Sequence, residues 1–180
     1  MTTENDSRVE DFLYQYQRSV REIIGFTELE INEGLAKFRE LLPIQFGPKT
    51  LFHITLAQSW PSIKERGLVP EFGRGFGHTP RGFIFLVEEP RKILAFLEDV
   101  VEKEIEKGID RVWLMLQVEI PRGVILFRDP LELTGLIGGL LEPISWVTPV
   151  SLPPDTIKPY SWLTSFDFGF QPLSTFPGVL

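Results

Sequence analysis

The stretch Leu51-Phe-His-Ile-Thr55 sets a histidine and a threonine inside an otherwise apolar, strand-like run. An imidazole can donate or accept a hydrogen bond, and its charge changes near neutral pH. Two readings are open for His53: a satisfied core or turn residue, or a group delivered to a strand edge for chemistry. Carboxylates are plentiful, but most fall on helical periodicity, where solvation explains them. Glu142 is different. It follows a glycine-bearing stretch, residues 132–141, and heads the strand-like run Glu142-Pro-Ile-Ser-Trp-Val147. Arg74 and Arg81 lie on and beside a glycine-rich loop, and each reads either as a surface residue or as a ligand for an anion. Phe85, in the strand run Phe83-Ile-Phe-Leu-Val87, reads either as core or as an aromatic face for a planar ligand.

Other chemistries are excluded or disfavoured. The chain has no cysteine, so it has no disulfide framework, thiolate metal site or thiol nucleophile, and its 2 histidines argue against a histidine-rich metal centre. Gly73-Arg-Gly-Phe-Gly77 lacks the strand-to-helix setting and spacing of a dinucleotide fingerprint, and no P-loop lysine follows it. There is no G-x-S-x-G elbow. A net charge of −7 argues against coating nucleic acid by counterion release.

The elements that must position these residues follow from apolar spacing. Residues 9–24 and 29–42 read as two amphipathic helices, the first capped by Ser7 and ended by Gly25, the second stopped by Pro43. After the histidine strand comes a short helix with Pro61 at its start and Gly67 at its end. Residues 69–80 are a loop. A strand over 83–87 is followed by a helix to about Lys107, with Ile93, Phe96, Leu97, Val100, Val101 and Ile105 as its apolar stripe and Gly108 as its stop. Strands are expected over 113–120, 124–127 and 142–147, then a turn-like segment Leu152-Pro-Pro-Asp-Thr-Ile157 and an aromatic tail. At 180 residues and 43% hydrophobic, the chain is long and apolar enough for one domain with an appendage. The pattern predicts an α+β fold with a mainly antiparallel, curved or split sheet. The division expected is a helical extension over 1–48 and the main domain over 49–180. No run approaches a membrane-spanning length and the first residues are polar, which gives the expectation of a cytoplasmic protein without a membrane partner.

Taken together, Leu51-Phe-His-Ile-Thr55, the helix ending at Gly67-Leu-Val-Pro70, Gly82-Phe-Ile-Phe-Leu86, the helix from Pro90, and Glu142 leading to Leu152-Pro-Pro-Asp-Thr-Ile157 resemble the ADP-ribosyltransferase-like superfamily. Within it the chain is most similar to the His–Tyr–Glu branch, and the likeness covers about residues 50–157. The resemblance implies a split antiparallel sheet holding NAD between its halves, and transfer of ADP-ribose to an unidentified macromolecular acceptor. It implies that His53 bonds the adenosine ribose, that Thr55 supports that edge, and that Phe85 stacks on nicotinamide. Arg74 or Arg81 would pair with pyrophosphate. Glu142 would grip the nicotinamide ribose, where a carboxylate stabilises positive charge developing as the glycosidic bond breaks. Phe85 stands where tyrosine is usual, so the ring is kept and the hydroxyl lost. That substitution keeps open a second reading, a catalytically silent domain of the same fold that binds a nucleotide or a protein partner.

Overall fold

The computed structural model describes residues 10–15, 44–45, 49–70, 82–128 and 145–178. Among the described residues eight strands form one sheet: β1 (Ile44–Gln45), β2 (Lys49–Leu56), β3 (Ile84–Val87), β4 (Val112–Ile120), β5 (Ile125–Arg128), β6 (Ser145–Thr148), β7 (Ile157–Thr164) and β8 (Gln171–Pro172). Their order is β1-β5-β6-β3-β2-β4-β7-β8, and every neighbouring pair is antiparallel. Helices α1 (Trp60–Arg66) and α2 (Lys92–Glu106) accompany the sheet. This is the α+β, antiparallel class that the strand and helix spacing predicts.

The pairing is uneven, and the unevenness matters for the site. β2 and β4 pair along all of β2, from Lys49↔Ile120 to Leu56↔Trp113. β3 and β6 pair along all of β3. Between β2 and β3 the register holds at a single pair, Phe52↔Val87. The β2–β3 pairing is thus the narrowest in the sheet, a seam between β1-β5-β6-β3 and β2-β4-β7-β8.

Side-chain alternation gives the sheet two buried faces. On one, Leu51, Ile84, Leu86, Leu114, Leu116 and Trp146 pack with Trp60 and Ile63 of α1. On the other, Ile54, Val87, Trp113, Met115 and Leu163 pack with Ile93, Leu97 and Val101 of α2. A sheet covered on both sides explains why β4 reads as an almost continuous apolar run rather than an alternating one. Residues 10–15 are helical, and Phe12 stacks on Phe127 of β5 with ring centroids 3.9 Å apart.

Local sequence sets the short helix and the turn that ends it. Pro61 lies in the first turn of α1, where its missing N–H costs nothing. Gly67 ends the helix at φ 78 and ψ −170, a conformation close to glycine-only. A Cβ there would stand 2.0 Å from the Leu152 carbonyl oxygen. Leu68 and Leu152 then exchange both backbone hydrogen bonds, at 3.0 and 2.9 Å. The Gly67-Leu68 turn is thus seated on the Leu152-Pro-Pro segment, which passes through a 3₁₀ turn (Pro154–Thr156) into β7.

Two expectations change. The stretch read as an aromatic tail begins as strand β7, which continues without a break from Ile157. Pro159 masks it in the sequence. Proline is tolerated there because β7 bulges: Met115 pairs Ser161 and Leu116 pairs Pro159, leaving Tyr160 as the extra residue. The stripe of α2 also departs from its expected end. Ile105 is 46% exposed, whereas Glu104 is buried. The buried line 93, 97, 101 continues to 104, where Glu104 accepts a 2.6 Å bond from Ser165 Oγ and pairs with Arg111 Nε at 2.8 Å. Pairing is what permits a carboxylate in that position.

Candidate functional site at the sheet seam

His53 sits in β2 one residue past the single seam pair. Phe52 and Ile54 belong to the α2 face, so His53 and Thr55 face the other side with Leu51. The His53 Nδ1 lies 2.9 Å from the Phe85 carbonyl oxygen across the seam. A carbonyl only accepts, so Nδ1 carries the hydrogen and donates it. In the neutral ring Nε2 is then the acceptor, and no hydrogen bond reaches it among the described residues. Burial lowers the His53 pKa below its ordinary value, while the Phe85 carbonyl works in the opposite sense and is outweighed. The neutral form with a basic Nε2 is therefore the resting state at neutral pH. Thr55, two residues on, is half-buried on the same face, and no hydrogen bond is formed by its hydroxyl among the described residues.

A second polar group lies on the same face at the seam. Glu88 comes directly after β3. Its Oε1 accepts from Lys49 Nζ at 2.7 Å and from the Trp146 indole N–H at 2.9 Å, with Arg128 Nη2 at 3.6 Å. Arg128 also lies over the Trp146 ring, its Cζ 3.7 Å from the centroid, and Lys49 Nζ is 5.2 Å from the same ring. Trp146 is buried with Leu51, Ile84 and Leu86, which fixes the cluster to the His53 side of the sheet. The Lys49 hydrogen bond, aided by the Trp146 indole and by both cations, holds the Glu88 carboxyl below its usual range.

The structure distributes the sequence-predicted site residues unevenly. Phe85 lies in β3 and meets His53 through its backbone carbonyl. Its ring faces away from the His53 ring, because Ile84 and Leu86 on either side of it occupy the His53 face. The carbonyl, not the ring, is what brings Phe85 to His53. Glu142, Arg74 and Arg81 lie outside the described residues. Glu88, Lys49, Arg128 and Trp146 are not evident as site residues in the sequence. Glu88 reads locally as one of two carboxylates before Pro90, and no spacing rule joins it to three residues on three other strands. Its one local signal is its place at the end of a buried strand.

Among the described residues no group of three or more histidine and carboxylate side chains could hold a metal ion, and no helix is long and apolar enough to cross a membrane. Compared with known proteins, the chain matches no protein-family model and no curated protein.

Proposed function

We propose that the seam between β2 and β3 is a nucleotide site of the ADP-ribosyltransferase type, taking NAD and passing ADP-ribose to a macromolecular acceptor. The observation that carries this reading is the state of His53. The imidazole is clamped through Nδ1 to the Phe85 carbonyl, kept neutral by burial, and left with a lone pair on Nε2 at the narrowest pairing of the sheet. A fixed acceptor of that kind suits a sugar hydroxyl, which donates to it. The Thr55 hydroxyl beside it adds a group that can donate or accept. These residues fit the adenosine ribose of NAD. The remaining roles rest on sequence position: Glu142 as the carboxylate beside the nicotinamide ribose, Arg74 and Arg81 as pyrophosphate ligands. NAD supplies the glycosidic bond to be broken. The protein's residues bind, orient and stabilise charge.

The orientation of Phe85 favours the second reading, a binding domain without turnover. With its ring turned from the His53 face, Phe85 supplies no stacking surface beside His53. Two measurements separate the readings. Calorimetry should detect NAD binding, weakened about fivefold to thirtyfold in His53→Ala, the scale of one hydrogen bond to a buried group at roughly 1–2 kcal/mol. Hydrolysis of saturating NAD should fall on the order of a hundredfold in Glu142→Gln if that carboxylate acts mainly in the transition state. Binding without hydrolysis by the unmutated protein selects the silent domain, and no binding removes NAD from the account.

A further inference from the structure

We propose that Glu88 is a second ligand-binding group of the seam, accepting a ribose hydroxyl through Oε2. This rests on the NAD reading and extends it to a residue outside the resemblance. Every polar contact of Glu88 among the described residues ends on Oε1: the Lys49 ammonium, the Trp146 indole N–H and, at longer range, the Arg128 guanidinium. Oε2 accepts no hydrogen bond among the described residues, and the side chain remains 39% exposed. One oxygen is anchored and the other is presented. A carboxylate whose purpose was to neutralise Lys49 and Arg128 would gain more by sharing both oxygens between them, as Arg–carboxylate pairs commonly do.

The position is also apt. Counting from Phe52↔Val87, Glu88 would stand opposite Leu51, which makes it the diagonal neighbour of His53 on the same face. Both groups are acceptors in their resting states, so both call for donors on the ligand. Two hydroxyl-bearing sugars joined by a short linker meet that demand. A ligand offering only carboxylates or phosphates there would face the Glu88 charge.

The test pairs protein and ligand changes. Glu88→Gln keeps a carbonyl oxygen for Lys49 and Trp146 and replaces Oε2 with an amide, so the anchoring contacts and the thermal transition should survive. Glu88→Asp keeps the charge but withdraws it by one methylene. Affinities are measured by calorimetry for NAD and for two analogues, each with one ribose lacking both hydroxyls. Both variants should bind NAD about tenfold more weakly, the scale of losing one charge-assisted hydrogen bond. They should show no such loss for one of the two analogues, because the hydroxyl that Glu88 would bind is already missing. An equal loss for all three ligands would make Glu88 a merely structural residue, and no loss for any of them would also overturn the proposal. Either result leaves the NAD reading standing. Failure of the unmutated protein to bind NAD would sink both.

Discussion

The contact between Gly67 and Leu152 gives a sharp test of how the chain is held together. Gly67→Ala would put a Cβ 2.0 Å from the Leu152 carbonyl oxygen, on a backbone at φ 78 and ψ −170. Backbone strain in that region costs about 1–3 kcal/mol. Relieving the clash requires Leu152 to move, and the Leu68–Leu152 bridge of two backbone hydrogen bonds goes with it. Each such bond contributes about 1 kcal/mol net. The expected loss is therefore about 3–5 kcal/mol, or a fall in Tm on the order of 10 °C for a chain of this size. Gly108→Ala is the internal control. Gly108 also has positive φ, 67, but nothing lies within 4 Å of a Cβ built there. Its cost should be the conformational part alone, about 1–2 kcal/mol. Urea and thermal unfolding of the two variants decide the matter. Equal losses would mean that the Gly67–Leu152 approach adds nothing, and that the close seating of the turn on the Pro-Pro segment is not a stabilising contact.

The pH response and the N-terminal helix can be tested in the same way. The His53 pKa is lowered from 6.5, so between pH 6.5 and the folded pKa the unfolded chain binds more protons than the folded one. Stability should thus be full above pH 6.5 and fall as the pH drops through that window, a fall absent in His53→Gln; parallel Tm-against-pH curves for the two proteins would remove His53 as its source. The depressed Glu88 adds a separate loss at lower pH, below its ordinary 4.5, in the direction of acid destabilisation. Phe12→Ala should cost about 3–5 kcal/mol, since a fully buried ring stacked on Phe127 is removed. A loss under about 1 kcal/mol by chemical denaturation, well below the usual core-aromatic range, would mean that residues 10–15 are not integral to the main fold.

The legibility of this chain in its sequence tracks how local each signal is. α1 can be read from Pro61 and Gly67, and α2 from its period of apolar residues, because both are governed by neighbours a few positions away. β2 to β6 can be read from apolar runs between turn residues. β7 is hidden because Pro159 is a strand breaker by local rules, and what accommodates it is a bulge against β4, a partner more than forty residues away. Glu104 reads as solvated for the same reason: its partners, Arg111 and Ser165, are brought to it by the pairing of β4 with β7. In the site, His53 stands out as a polar residue in an apolar strand, but its partner does not. Phe85 attracts notice for its ring, whereas the contact it makes is through its backbone.

Through that backbone carbonyl the geometry of the sheet is tied to the chemistry at its seam. From Phe52↔Val87 an antiparallel ladder would continue to His53↔Leu86 and then Ile54↔Phe85, and neither pair is formed. The Phe85 carbonyl, which the ladder would otherwise occupy, is satisfied by the His53 side chain. A buried carbonyl must find a donor, and here the donor is an imidazole whose other nitrogen is thereby committed to acceptance. The divergence of the two half-sheets and the tautomer of His53 are therefore one feature seen from two sides. A histidine replaced by glutamine keeps a donor for the carbonyl, since its amide can reach across. It should therefore preserve the seam better than alanine, while losing the basic nitrogen that a sugar hydroxyl would use.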